Sequence, residues 1–319
     1  MRKVAVVTTG FFDGVHLGHR HVLETVVSSA RERGEEAVVV TFWPHPRTVL
    51  QQDARDLRIL TTLEEKKALL ISAGIDRVEV IPFTRRFASM KADEYLSLLH
   101  QRYGASLIVM GYDNRIGSDR KTFKEMEACW SPNPSSLRSS SLPTSLRAVG
   151  PLPFTWPRAA TGSEDQHASI SSTRIRKALT EGDIEAGNVM LGHQYELYGV
   201  VVAGNRMGRT IGFPTANMQL YEPLKLVPGN GVYAVDVEVT GNVFRGMCNI
   251  GTRPTIGGTA RTIETHILGF DEDIYGLPIG LRFVRRIRDE RKFPSLDALR
   301  EQLLKDKQLC YGENHIFTE

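Results

Sequence analysis

The stretch Gly10–Phe11–Phe12–Asp13–Gly14–Val15–His16–Leu17–Gly18–His19 constrains this chain more than any other. The apolar run Val4–Ala5–Val6–Val7 precedes it, and Val22, Leu23, Val26, Val27 and Ala30 follow at helical spacing. A buried strand therefore runs into a glycine-bearing turn and then a helix. The first amides of a helix have no partner within it, and its dipole favours an anion, so the turn reads as a phosphate site. His16 and His19 can present both imidazoles on one side of the first turn, and Gly18 between them removes a side chain that would block a phosphate. Taken singly, either histidine reads equally as a polar surface group.

The apolar run Ala37–Phe42 suits a strand covered on both faces. It ends in Trp43–Pro44–His45–Pro46, where two prolines hold His45 in a stiff loop. Ligands of open α/β sheets bind beyond the carboxyl ends of strands, which brings His45 toward His16. Thr62 and Glu65 form a capping box for a helix carrying Leu63, Leu69 and Leu70. Strand Val78–Ile81, helix Ala92–Leu99 and strand Leu107–Met110 follow. The alternation predicts a parallel, doubly wound sheet with right-handed crossovers. Gly111–Gly117, just past a strand, is placed as a ligand loop. In Ile170–Ser171–Ser172–Thr173–Arg174–Ile175–Arg176, Ser171 or Ser172 can cap a helix while Arg174 and Arg176 supply charge for an anion. Alone, that segment reads equally as an ordinary capped surface helix.

Beyond Gly182–Asp183 a short helical segment reaches Leu191–Gly192, and the pattern changes. Tyr233, Val235, Val237 and Val239 alternate with less apolar neighbours, as do Ile279, Leu281 and Phe283. A compact antiparallel barrel is expected, closed by a helix from Ser295 containing Leu296, Leu299 and Leu303. Within Gly204–Asn217 the glycines let backbone approach phosphates, and Thr215 and Asn217 offer neutral oxygens suited to a hydrated Mg²⁺ shared with ATP. At 319 residues the chain exceeds ordinary single-domain size, and the change of pattern divides it into 1–182 and 183–319.

Several of these strings resemble those of one family. GFFDGVHLGH is similar to the signature of HxGH nucleotidyltransferases in the form found in bacterial bifunctional riboflavin kinase/FAD synthetases. Thr41–Pro46 resembles the family's TFxPHP string, and Ile170–Arg176 its second signature, which holds the ATP triphosphate opposite the histidines. Gly208–Asn217 resembles GRxLGFPTAN, Asn249–Thr255 NIGxRPT, Glu264–Leu268 VExHxL, and Arg288–Phe293 RxExKF. One loop departs from the pattern. Where the family commonly has GxDFxFG, this chain has Asn114 and Ile116 in place of the phenylalanines, although Asp113 and the flanking glycines match.

The resemblance implies an α/β architecture: a Rossmann-like HxGH domain with a parallel sheet over 1–182, then an antiparallel β-barrel riboflavin kinase domain with a closing helix over 183–319. The barrel would phosphorylate riboflavin from ATP, and the first domain would adenylylate FMN to FAD with release of pyrophosphate. His16 and His19 would be catalytic, with Gly10, Phe12, Asp13, Gly18, Ser171, Ser172, Thr173, Arg174 and Arg176 around the ATP phosphates. In the barrel, Gly204, Arg206, Gly208, Arg209 and Gly212 would hold ATP, Thr215 and Asn217 Mg²⁺, and Glu264 would be the base for the attacking hydroxyl. His45, Asp113, Asn114 and Arg288 would contact flavin. Without the resemblance, the residues reach only two phosphate-handling domains. A nucleotidyltransferase for another phosphorylated acceptor and a catalytically silent flavin-binding regulatory protein remain as alternatives.

A formal charge of +3 is too small to argue for nucleic-acid or membrane partners, and suits anionic small molecules equally. Cys129, Cys248 and Cys310 form no metal pattern and are expected as free thiols in a cytoplasmic protein. The apolar run near the N-terminus is interrupted too soon for a signal peptide or membrane span.

Residues 129–163 break the sequence pattern. A helix and an apolar strand are due there, but Pro132, Pro134, Pro143, Pro151, Pro153 and Pro157 and two serine runs intervene. The composition reads as disordered. A functional insertion is one account. The favoured one is a shifted reading frame between two compensating changes, because both flanks match the family with undisturbed spacing. It predicts a sheet short of one strand and weak FAD synthesis.

Overall fold

The computed structural model describes residues 4–50, 57–111, 114–122, 124–126, 145–149, 170–204, 207–255 and 258–311. At 145–149, 207, 253–255 and 258–260 it describes backbone alone. The chain divides into two compact units, Met1–Ser172 and Thr173–Glu319.

In the first unit, strand β1 (Ala5–Thr9) leads to helix α1 (Leu17–Arg33), β2 (Glu36–Trp43), α2 (Pro46–Leu50) and α3 (Leu63–Ser72). Strand β3 (Arg77–Pro82), α4 (Arg85–Ala88), α5 (Ala92–Tyr103), β4 (Ala105–Gly111) and β5 (Ser145–Val149) complete it. The sheet is parallel in the order β3-β2-β1-β4-β5. Both faces are covered, because alternate residues of β1 serve opposite cores. Val6 packs with Leu23 and Val26 of α1, whereas Val7 joins Leu96 and Leu99 of α5. Each fully buried aliphatic side chain contributes about 1.5–3 kcal/mol. The strand order reverses between β1 and β4, so the crevice for ligands opens where Gly10 and Gly111 leave their strands.

The expectation that 129–163 would supply no strand is corrected by β5, which pairs with β4 in parallel from Leu107↔Ser145 to Gly111↔Val149. Pro143 and Pro151 flank these five residues without interrupting them, so the ladder amides of Ser-Leu-Arg-Ala-Val are all present.

In the second unit, α6 (Ser172–Glu181, from Thr173 onward), α7 (Ile184–Leu191) and β6 (Tyr195–Val202) are followed by α8 (Met207–Thr210) and β7 (Ala216–Leu220). Then come β8 (Gly231–Val239), β9 (Asn242–Thr255), β10 (Gly258–Ile267), β11 (Pro278–Arg288) and α9 (Leu296–Tyr311). The six strands close an antiparallel barrel in the order β10-β7-β6-β11-β8-β9. Thr240 and Gly241, at φ 50° and 78°, make the two-residue turn between β8 and β9, where positive φ matches the twist of the strands. Tyr195, Tyr233 and Phe283 fill the interior, with the Tyr233 and Phe283 rings edge to face at 5.5 Å.

Helix α9 covers an outer patch where Cys310 packs with Phe213, Val232 and Met247. The fully buried Asp306 of α9 is held by the Arg288 guanidinium at 2.8 and 2.9 Å and by the Gln302 amide at 2.6 Å. Cys248 and Cys310 are free and buried, and burial pushes both thiols up to about 12.

Candidate active sites

Chain leaving β1 turns sharply: Phe12, Gly14 and Val15 take φ of 48°, 86° and 40°. Positive φ at a non-glycine residue costs about 1–3 kcal/mol, and burial of Phe12 and Val15 offsets it. The Asp13 carboxylate, sequence-predicted beside ATP, accepts from the amides of Leu60 at 2.9 Å and Thr61 at 3.1 Å. The Gly14 amide donates to Thr61 Oγ1 at 3.0 Å, so the loop is fastened to the segment entering α3.

His16 caps α1, its Nδ1 accepting from the His19 amide at 3.3 Å, which leaves the proton of the neutral ring on Nε2. The His16 and His19 rings stack with centroids 3.6 Å apart and planes 15° from parallel. His19 Nδ1 is buried without a hydrogen-bond partner. Burial, then the neighbouring His16 and Lys66, hold its pKa well below the ordinary histidine value, so at neutral pH the ring is uncharged. A Cβ on Gly18 would lie 3.3 Å from the His16 ring, so this glycine serves the stack as well as any ligand.

Phe11 and Phe12 look in different directions. The Phe12 ring stands edge-on to His19 at 5.2 Å, while Phe11 lies 5.1 Å from His45 and 5.2 Å from Phe42. Phe83 and Phe87 extend this wall, Phe83 lying 6.0 Å from Phe11 and 5.6 Å from Phe87. His45 Nδ1 accepts from the Arg47 amide at 3.2 Å, which fixes its ring beside the wall. Sequence reasoning missed Phe83 and Phe87, although their place just beyond β3 was a usable signal. It also missed Lys66 of α3, 3% exposed, with Nζ 6.0 Å from the Phe11 ring centroid.

Asn114 is half-buried, its amide donating to Gly111 O at 3.1 Å, and Ile116 belongs to the core against α5. Asp113 and Arg206 lie outside the described residues. Ser171 and Ser172 are half-buried, and Ser172 Oγ donates to Asp13 O at 3.1 Å. On α6, Thr173 and Arg174 are exposed and Arg176 is half-buried.

In the barrel, register builds the second site. Glu264 is the cross-strand partner of Asn217 on β7 and of Asn249 on β9, so the three residues share one row. Gly204 packs against the Asn217 carboxamide and Gly208 against Phe213 O, approaches that any side chain would prevent. Phe213 N donates to Gly208 O at 2.8 Å, and Gly212 turns at φ 82°. His266 Nδ1 donates to Pro214 O at 2.8 Å, with its ring edge-on to Phe213 at 5.0 Å. Burial lowers its pKa, and the bond to Pro214 opposes that shift. His266 therefore fixes the loop carrying Thr215, and Arg209 lies exposed on it. Among the described residues no group of three or more His, Cys, Asp or Glu is arranged to hold a metal by itself. Thr215 and Asn217 fit a hydrated Mg²⁺ that takes its other ligands from phosphate and water. Arg288 spends its guanidinium on Asp306.

The family model for FAD synthetase matches residues 1–131, and that for riboflavin kinase matches residues 191–311. The bifunctional riboflavin kinase/FMN adenylyltransferase of Bacillus subtilis is 37% identical over 308 residues, covering 95% of this chain and 90% of that protein. The protein of the same name from Escherichia coli is 34% identical over 304 residues, with coverage of 95% and 90%. A crystal structure described as a macrolide-efflux protein from Streptococcus pneumoniae matches with a TM-score of 0.85 and 31% identity, over 98% of this chain and 95% of that one. Among the described residues here, no helix is long and apolar enough to cross a membrane. Two family models in order along the chain and near full-length relatives agree: the chain belongs to the bifunctional riboflavin kinase/FMN adenylyltransferase family.

Proposed function

We propose that this chain makes FAD from riboflavin in two ATP-dependent steps, with FMN adenylylation in 1–182 and riboflavin phosphorylation in 183–319. The observation that supports both is the pairing of each matched family segment with a built site: stacked histidines at a helix N-terminus in one, a carboxylate between two carboxamides in the other.

In the kinase step, Glu264 accepts the proton of the riboflavin hydroxyl as its oxygen attacks the γ-phosphorus. Gly204, Arg206, Gly208, Arg209 and Gly212 bring backbone and charge to the ATP phosphates, and Thr215 and Asn217 would hold Mg²⁺. When bound, that ion neutralises charge on the phosphate oxygens. Arg288, fixed by Asp306, braces the flavin end of the site.

In the adenylylation step, an FMN phosphate oxygen attacks the α-phosphorus of ATP and pyrophosphate leaves with the electrons of the broken bond. No protein nucleophile is needed. His16 and His19 act as N–H donors to the charge that develops, and their orientation is set before substrate arrives. Gly10, Phe12, Asp13 and Gly18 shape the loop, and Ser171, Ser172, Thr173, Arg174 and Arg176 supply phosphate ligands. The flavin ring rests on the Phe11–Phe83 wall beside His45, with Asp113 and Asn114 from the neighbouring loop.

Incubation with riboflavin, ATP and Mg²⁺, followed by chromatographic separation of riboflavin, FMN and FAD, tests the reading. FMN and then FAD are expected, and a chain that converts neither flavin would refute it.

A further inference from the structure

We propose that Lys66 binds the phosphate of the acceptor, the FMN group that attacks ATP, in the adenylylation site of the first unit. Lys66 stands alone among the charged residues of α3: Glu64 is exposed and Glu65 and Lys67 are half-buried, whereas Lys66 is 3% exposed. Among the described residues no hydrogen bond or ion pair closes on its ammonium, and its backbone amide is spent on Thr62 O. Burial lowers its pKa from the usual lysine range, with the Asp13 carboxylate pulling it back. A largely buried ammonium held only by a distant carboxylate and an aromatic face is costly, and the cost is recovered when an anion enters beside it.

Placement names the anion. Helix side chains lean toward the N-terminus, so the Lys66 stem runs toward the Leu60–Thr62 segment and the Asp13 loop fastened to it. Its Nζ lies 6.0 Å from the centroid of Phe11, whose ring neighbours include His45, Phe42 and Phe83. The same charge reaches His19, whose ring meets Phe12 on the far side of the loop. The ammonium therefore lies 6.0 Å from the aromatic wall and near enough to His19 to act on its proton affinity. A planar ring on that wall, joined by a short chain to a group attacking ATP, must carry its phosphate past this point. Lys66 offsets the repulsion between acceptor phosphate and triphosphate, and it neither gives nor takes a proton as the new P–O bond forms and pyrophosphate departs.

This inference rests on the adenylylation reading, and its test separates the two. Lys66→Met keeps the stem and removes the charge. In the full-length protein it is expected to raise the KM for FMN by about tenfold or more, the usual worth of one charge-assisted contact. KM for ATP and the rate of riboflavin phosphorylation should stay at parent values, and Lys66→Arg should recover part of the FMN affinity. Equilibrium titration with FMN gives a readout free of turnover: one of two binding events should weaken while the other is unchanged. Unaltered KM and affinity for FMN would overturn the proposal, as would a rise confined to the KM for ATP. A parent chain that makes no FAD from added FMN would instead overturn the adenylylation reading itself.

Discussion

Glu264 and Asn217 stand directly opposite each other in the antiparallel ladder between β10 and β7, and Asn249 of β9 flanks Glu264 on its other side. The carboxylate is thereby held within a row of neutral carboxamides. Glu264→Gln preserves that row and removes the base. FMN formation should fall about 10²–10⁴-fold while adenylylation of added FMN persists. Chromatography of both reactions checks it, and parent-rate phosphorylation by the variant would make Glu264 structural.

His16→Ala or His19→Ala should abolish the oriented stack and cut FAD formation from added FMN by about 10²-fold or more, with riboflavin phosphorylation untouched. Gly18→Ala should lower FAD formation more mildly without deleting any reactive group, because its methyl would lie 3.3 Å from the His16 ring and the stack must shift by a few tenths of an ångström. Full FAD synthesis by a folded double histidine variant would remove both residues from the mechanism.

The lowered pKa of His19 gives the first unit a pH-dependent stability. Unfolded, the ring takes a proton near its ordinary value of 6.5, and folded it resists until well below that. Stability is therefore full above about 6.5 and declines as pH falls through the interval beneath it. Trp43, Trp130 and Trp156 all precede residue 172, so tryptophan fluorescence follows this unit selectively. Thermal melts between pH 8 and 5 should show the decline, and His19→Asn should flatten it.

Asp306→Ala leaves the Arg288 guanidinium without its buried partner. Breaking such a pair costs about 3–5 kcal/mol, so the barrel transition should move down in calorimetry while the tryptophan signal is unchanged. Riboflavin phosphorylation should weaken with it, since Arg288 ends β11 and opens the segment resembling RxExKF. A barrel transition at the parent temperature would show that the ion pair contributes nothing net.

The FAD synthetase match ends at residue 131, just inside the proline-rich interval 129–163. If that interval is read in a shifted frame, restoring the frame across 129–163 should raise FMN adenylylation and leave riboflavin phosphorylation constant. Resequencing the source gene together with the paired assay decides it. An unaltered frame with brisk FAD synthesis would refute the frame-shift account.

The histidine turn was legible because its chemistry is local: a strand, a glycine-bearing turn and two histidines at one-turn spacing need only neighbouring residues. The barrel was legible from alternation at Tyr233–Val239. The row Asn217–Glu264–Asn249 was not, since register between strands dozens of residues apart is set by packing that no short window contains. Lys66 looked like one more charge in Leu-Glu-Glu-Lys-Lys, and its place beside the Phe11 ring brings together residues far apart in the chain. Strand β5 was missed for the opposite reason. Prolines nearby masked a short stretch that itself holds none.

Strand β7 is five residues long and is paired on both edges, with Asn217 facing Val202 on one side and Glu264 on the other. Because side chains alternate faces, one residue inserted between Pro214 and Asn217 would turn the carboxamide through the sheet and seat a neighbour in its place. The exposed Thr240–Gly241 turn carries no such constraint, since lengthening it leaves every pairing of β7 and β10 as it was. A circular permutant opened at Thr240–Gly241, or a reporter domain grafted there, should therefore retain kinase chemistry that the smallest insertion ahead of Asn217 destroys.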